Sequence, residues 1–258
     1  MKTKLRILFF CLAIALCACH SNSKKKNSTT THSKDSILAI IPEETVIHEP
    51  SFVYGIDISS YQKNEADYLN KHKDSLGFII CKATAGISYV DPDFKSNWEK
   101  IKKDGFLRGA YHFYFNTDSP VEQAQHLAKV LQVLEATDLP PVVDVEGGGI
   151  HHSVTVEEFA KDLLLFLTTL EKELGRKPMI YTNIVIANEY LKDPQLSSYA
   201  LWIANYVNKP APDLPETWKD TGWMFWQRSS SYRIDHFTDD SDVFNGGPSK
   251  LAEFIKNY

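Results

Sequence analysis

The chain has 258 residues, 43% of them hydrophobic, and 28 Lys and Arg against 33 Asp and Glu give a net charge of −5. An acidic balance argues against nucleic acid as a partner. Four cysteines in this length make no disulfide framework, so stability must come from a large core.

Residues 1–6 are basic through Lys2, Lys4 and Arg6, and residues 7–18 form an apolar run too short to span a bilayer. The run ends Leu16-Cys17-Ala18-Cys19, the pattern of a lipoprotein signal peptide with Cys19 as the lipidated first residue of the mature chain. Removing residues 1–18 leaves 25 basic against 33 acidic residues, about −8. Residues 19–50 begin with a Ser-, Thr-, Lys- and Asn-rich stretch that cannot bury a core, and are expected to form a flexible tether. Residues 51–258 then run without a low-complexity break, which fits one domain. Cys81, within Phe78–Cys81, reads as a small core residue.

Strand and helix patterns alternate along this domain. Phe52–Ile58 is a strand candidate, followed by a weaker helix near residues 65–73. Phe78–Ala83 is the second strand. Asp91-Pro92 opens a helix with Phe94, Trp98 and Ile101 on one face, and Gly105 closes it. Leu107–Phe115 is the third strand. Ser119-Pro120-Val121-Glu122 reads as a capping box, and Val121, Ala124, Leu127, Leu131 and Leu134 follow at helical spacing. Pro141–Glu146 is the fourth strand. Thr155-x-x-Glu158 starts the strongest amphipathic helix, which runs to Leu174 with Gly175 as its stop. Further strands are expected at Pro178–Thr182, Ala200–Ala204 and Gly222–Gln227. A short eighth lies at Tyr232–Ile234 or near Val243-Phe244, and a final helix at Ser249–Lys256. Repeated strand–helix units imply a parallel sheet, and about eight strands imply closure into an irregular, TIM-like β/α barrel. An open doubly wound sheet is the other reading, but no strand leads into a Gly-rich phosphate loop.

The most telling segment is Pro141–Gly148, PVVDVEGG, an apolar run ending in two carboxylates two positions apart. In a strand both point to the same face, with Cα atoms about 7 Å apart. Two like charges so placed are costly unless one holds a proton or a cation sits between them. Glycosidic bond cleavage uses such a pair. Other predicted strands also end in polar residues: Asp57, Lys82, His112, Asn183, Asn205 and Gln227. A barrel gathers such residues at the C-terminal mouth.

Tyr54–Gln62, YGIDISSYQ, resembles the GxDxSxxQ opening of glycoside hydrolase family 25, the N-acetylmuramidase lysozymes. FIICKATAG at 78–86, GAYHFY at 109–114, PVVDVE at 141–146, MIYTN at 179–183, LWIANY at 201–206 and FWQ at 225–227 follow in the family's order. The resemblance covers essentially all of 51–258. It implies an irregular β/α barrel that cleaves the β-1,4 bond between N-acetylmuramic acid and N-acetylglucosamine in peptidoglycan. It implies Glu146 as general acid, its pKa raised by the charge of Asp144. Asp144 stays ionised and assists the substrate's N-acetyl group, and Asp57 completes the acidic floor. In an alternative, Asp57 or Asp144 activates water directly and inverts the anomeric centre.

The resemblance also implies a fourth carboxylate before Val243-Phe244-Asn245-Gly246. Counting back selects Asp240, with Asp242 as the alternative because the preceding segment looks shortened; a solvated turn or weak cation site would also explain three aspartates here. Ala85 stands where the family carries Glu, which puts subsite contacts in question. Tyr61, Tyr111, Tyr114, Tyr181, Trp202, Tyr206 and Trp226 are candidate sugar platforms, with His112, Asn183 and Gln227 as polar partners. About half of the aromatics should touch substrate. His151-His152 lacks a third ligand for zinc, so no metal and no cofactor are expected, and Ser229-Ser230-Ser231 reads as loop. The expected partners are peptidoglycan glycan strands and, through Cys19, a membrane outside the cytoplasm; a monomer is expected. A substrate-assisted chitinase-like barrel and a non-catalytic peptidoglycan-binding lipoprotein are the competing readings.

Overall fold

A computed structural model describes residues 51–61, 75–151, 154–234 and 237–258. The leader, Cys19, the tether, Gln62, the helix expected near 65–73 and His152 lie outside these residues. Eight strands close a ring: β1 (Val53–Ile58), β2 (Phe78–Ala85), β4 (Leu107–Phe113), β5 (Val142–Val145), β6 (Met179–Asn183), β7 (Leu201–Ala204), β8 (Phe225–Ile234) and β9 (Phe237–Phe244). A two-residue strand, β3 (Tyr89–Val90), pairs outside the ring with the end of β2. Helices α1 (Phe94–Lys103), α2 (Pro120–Leu131), α3 (Val156–Leu174), α4 (Ile184–Tyr190) and α5 (Pro248–Asn257) complete the order. β1 pairs with β2 in parallel, and the pairing stays parallel around to β8.

The closure departs from the expected β/α repeat. β8 runs on through the serines at 229–231, which sequence reads as loop, and turns back as a hairpin into β9. β9 is antiparallel to both neighbours. Its first half, not its end, therefore reaches the barrel mouth, and Asp240 comes opposite Asp57 in the β1–β9 register.

Alternation along each strand divides the side chains between two cores. Phe78, Ile80, Val142, Met179, Phe225 and Phe244 fill the inside, where Leu251, Phe254 and Ile255 of α5 plug the lower end. The rings of Phe225, Phe244 and Phe254 lie within 5.2–5.8 Å of one another, mostly edge to face. Gly55 is required here: a Cβ at that position would stand 2.2 Å from the Phe78 ring. Ile56, Ile79, Cys81, Val143, Ile180, Ile203 and Val243 face outward against the helices.

The helices start and stop as their caps dictate. Thr155 and Glu158 form a reciprocal capping box on α3, and Gly175 ends it at φ 65°. Ser119 accepts the Glu122 N–H at the start of α2. β4 stops two residues before the expected Phe115 because Gln123 of α2 takes over the pairing: its amide bonds both the N–H and the C=O of Phe115, at 2.9 and 2.8 Å. β2 runs past Ala83 to Ala85 with a bulge between Lys82 and Thr84.

A buried arginine ties the outer layer together, pairing with Asp138 and, at 3.1 Å, with Glu135. Arg108 on β4 is buried, bonds both carboxylate oxygens of Asp138 (2.7 and 3.2 Å), and lies 4.0 Å from the Trp98 ring centroid on α1. Removing one partner of a buried pair strands the other charge. Arg108→Met should therefore lower stability by about 3 kcal/mol, read as a lower urea midpoint at unchanged slope. A loss well under 1 kcal/mol would show that Asp138 does not depend on it.

Candidate active site

Inward positions toward the C-terminal ends of the parallel strands, with Asp240 from the antiparallel β9, converge on a cleft of about 110 Å³ lined by Asp57, Tyr111, Asp144, Glu146, Tyr181, Trp202, Gln227 and Asp240. Asp144 follows Val142 on the inside of β5, and Glu146 keeps an extended backbone (φ −128°, ψ 163°), so it stays on that side beyond the strand end. The chain must then turn at once. Gly147–Gly149 makes a single 3₁₀ turn, and a Cβ at Gly149 would stand 2.0 Å from the Tyr114 carbonyl oxygen. Gly149 thus lets the chain turn back against Tyr114 directly after the acid pair.

Hydrogen bonds link the carboxylates to the ring. Gln227 Nε2 donates to Asp57 Oδ2 at 2.6 Å. Gln227 Oε1 accepts from Tyr181 at 2.9 Å and from Tyr206 at 2.6 Å. Tyr181 also faces Glu146 Oε1 at the longer distance of 3.5 Å. Trp202 Nε1 donates to Asp242 Oδ1 at 2.9 Å. Asp242 Oδ2 meets no N–H or hydroxyl donor among the described residues and faces the Asp57 carboxyl, an approach that two acids tolerate by sharing a proton. Asp144 Oδ1 is also buried without a hydrogen-bond partner among the described residues.

Burial dominates the acid–base behaviour. It raises Asp144 well above the usual carboxylate range, helped by the charge of Glu146 and opposed by Lys82. Glu146 is raised by burial too, with Tyr181 and Lys82 opposing. Asp57 rises through burial and the neighbouring charge of Asp240, and Asp242 through burial and Asp57. This corrects two expectations. Burial, rather than the charge of Asp144, is the main cause at Glu146. In the free protein Asp144 also resists ionisation, because its buried oxygen has no donor to hold a negative charge.

The structure brings together Glu146, Asp144, Asp57, Asp240, Tyr111, Trp202 and Gln227, with Tyr181 among them. Of the two late aspartates, Asp240 lines the cleft and Asp242 lies fully buried against Trp202. Other candidates stand elsewhere. His112 and Trp226 are each one residue out of phase with an inward neighbour and so face the helices. His112 bonds Thr84 and Gln123, stacks on Phe166, and is held neutral by burial, its pKa lowered to about 3. Trp226 is buried and donates to the Asn205 carbonyl. Tyr114 packs edge-on against Phe159 and Phe166 in the outer core. Asn183 caps α4 through the N–H groups of Val185 and Ile186. Tyr61 is 83% exposed beyond β1, outside the cleft lining. Tyr206, half exposed at the rim, reaches the cleft through Gln227. Lys82, which sequence marked only as a polar strand end, is a neighbour to both Asp144 and Glu146. Among the described residues no cluster of His, Cys, Asp or Glu is suited to a metal ion.

Comparison with known proteins agrees with this geometry. The family described as Glycosyl hydrolases family 25 matches residues 56–237, a span holding every cleft residue but Asp240. The uncharacterized protein YegX of Escherichia coli (strain K12) is 32% identical over 209 residues, covering 79% of this chain and 73% of that one. An N,O-diacetylmuramidase from Arthroderma benhamiae is 27% identical over 79% of this chain and 87% of its own. The crystal structure of the bacterial lysozyme from Streptomyces coelicolor superposes with a TM-score of 0.72 at 26% identity, over 80% of this chain and 97% of that one. With a closed barrel, an acid pair at its mouth and a family match across most of its length, the chain belongs to glycosyl hydrolase family 25 and is a glycoside hydrolase.

Proposed function

We propose that the protein is a muramidase that hydrolyses the β-1,4 bond between N-acetylmuramic acid and N-acetylglucosamine in peptidoglycan. The observation that carries this reading is the convergence of Asp144 and Glu146, with Asp57 and Asp240, on one cleft at the barrel mouth, where burial raises the pKa of Glu146. A 2-acetamido sugar in the cleft can donate its amide N–H to the Asp144 carboxyl and favour its ionised form, which leaves the proton of the pair on Glu146. Glu146 then gives this proton to the glycosidic oxygen. The C1–O bond breaks as the acetamido carbonyl oxygen closes on C1, and Asp144 stabilises the positive charge on the resulting ring. Water enters at C1, loses a proton to Glu146, and restores the acetamido group with net retention. Asp57 and Asp240 complete the acidic floor. Of the three cleft aromatics, Tyr111, Tyr181 and Trp202, only Tyr111 is partly exposed and offers a sugar-binding face.

We also propose that residues 1–18 are removed and that lipid on Cys19 tethers the barrel to a membrane in the cell envelope, with residues 19–50 as the tether; this rests on the basic, apolar and Leu-Cys-Ala-Cys pattern of the leader. Cys19→Ser should move the protein from the membrane to the soluble fraction, and a variant that stays with the membrane overturns the anchor.

Glu146→Gln, nearly isosteric, should keep the fold and cut release of reducing ends from purified peptidoglycan by about 10²–10⁴-fold, the usual contribution of a positioned acid. Unchanged turnover refutes the assignment. If wild type cleaves chitin but not peptidoglycan, the chitinase reading replaces this one. Anomeric NMR of the first products should show retention; inversion removes the acetamido route.

Asp144→Asn should be severely impaired yet no less stable at pH 7. A carboxyl whose pKa is raised by folding lowers stability as pH climbs from its unfolded value, about 3.9, through its folded one. The variant's advantage in melting temperature should thus be largest at neutral pH and shrink toward pH 4. An advantage that grows on acidification would contradict the burial argument.

A further inference from the structure

Tyr181 has one phenolic proton and two acceptors within reach, Gln227 Oε1 at 2.9 Å and Glu146 Oε1 at 3.5 Å. In the free site the proton belongs to Gln227, since the longer contact is at the limit of hydrogen bonding. The Gln227 amide cannot rotate away, because Nε2 is fixed on Asp57 at 2.6 Å. Its Oε1 has a second donor in Tyr206 at 2.6 Å. If Tyr181 turns aside, this buried acceptor is therefore still satisfied. The Tyr181 ring is buried and edge-on to Trp202 at 4.6 Å, so a turn of the hydroxyl with a small approach is all that is needed.

We propose that Tyr181 is a positioning residue whose hydrogen bond passes from Gln227 to Glu146 as Glu146 delivers its proton, while Tyr206 keeps the vacated Gln227 oxygen satisfied. A phenol facing a carboxylic acid gains little, whereas one facing a carboxylate makes a charge-assisted bond. The donor thus strengthens only when Glu146 has become an anion, the condition for lowering a barrier rather than merely binding. Tyr206, which has no hydrogen bond to Glu146, governs the exchange from the rim. The inference rests on the proposed role of Glu146 as proton donor. The charged and titratable groups that face Glu146 are Asp144 on its own strand, Lys82 from β2, Tyr181 from β6 and Tyr206 from beyond β7. All but the substituted tyrosines remain in the variants below.

The test is a double-mutant cycle of Tyr181→Phe and Tyr206→Phe, read in two ways: the pH profile of kcat on peptidoglycan, and the titration of Glu146 by 13C NMR of carboxyl-labelled, substrate-free protein. Tyr181→Phe should lower kcat about 10- to 100-fold, the worth of one hydrogen bond to a charged group, with KM little changed. Loss of a donor to the anion should move the Glu146 titration, and with it the basic limb of the profile, upward by roughly one pH unit. Tyr206→Phe should move both the same way, because Tyr181 is then held on Gln227. The double variant should match Tyr181→Phe alone. A Glu146 titration unmoved by Tyr206→Phe, or effects that simply add, overturns the exchange. The NMR arm needs no turnover, so absence of peptidoglycan cleavage would sink the proposed function and leave this result standing.

Discussion

The constraint that organises this molecule is the gathering of several carboxyl groups in one small cleft and the core directly beneath it. Asp57, Asp144, Glu146 and Asp240 line a single cleft, and Asp242 lies buried beneath it. In a medium of low polarity such groups cannot all be ionised. The fold meets the difficulty with a few fixed donors and with carboxyl pKa values raised by burial. Gln227 serves Asp57, Trp202 serves Asp242, Tyr181 stands between Gln227 and Glu146, and Lys82 lends a positive charge to the acid pair. Among the described residues, one oxygen of Asp144 is left without a hydrogen-bond partner. Such an orphan acceptor is a cost to the free protein.

Holding that cluster demands a rigid frame, and the frame is the barrel interior. Directly below the carboxyl layer lie Phe78, Val142, Met179, Phe225 and Phe244, closed from beneath by α5. This interior is a packed core, so the site sits on a solid floor. The hairpin β8–β9 supplies what a regular β/α repeat cannot. By running antiparallel, β9 brings two acidic residues of one strand, Asp240 and Asp242, to the face where β1 ends in Asp57.

Much of this was legible in the residues alone, for a physical reason. Strands buried on both sides, such as Phe78–Cys81 and Val142–Val145, announce themselves as apolar runs, and the caps at Ser119 and Thr155 announce the helices between them. The acid pair was visible because i and i+2 share a face. The aromatic and polar candidates were harder. A run such as Gly109–Tyr114 is buried on both faces, so hydrophobicity does not show which parity points inward. Tyr111 faces the cleft and His112, one position on, faces Phe166. Gln227 and Trp226 divide in the same way. The bulge after Lys82 resets the parity of β2, and the reversal of β9 depends on pairings distant in sequence; neither leaves a local signal.

Ala85 gains its meaning from that reset. The bulge returns residue 85 to the side of Phe113, on the strand that carries Lys82. The Lys82 ammonium lies over the Phe113 ring at 4.9 Å, with Tyr111 and Tyr89 at 5.8 and 6.0 Å. Aromatic faces attract a cation without taking its charge away. Among the described residues no carboxylate stands within ion-pair distance of it. A glutamate at 85 would offer Lys82 a counter-charge on its own strand and compete with the acid pair for it. With a methyl group there, the field of Lys82 falls on Asp144 and Glu146, where it offsets part of the rise that burial imposes.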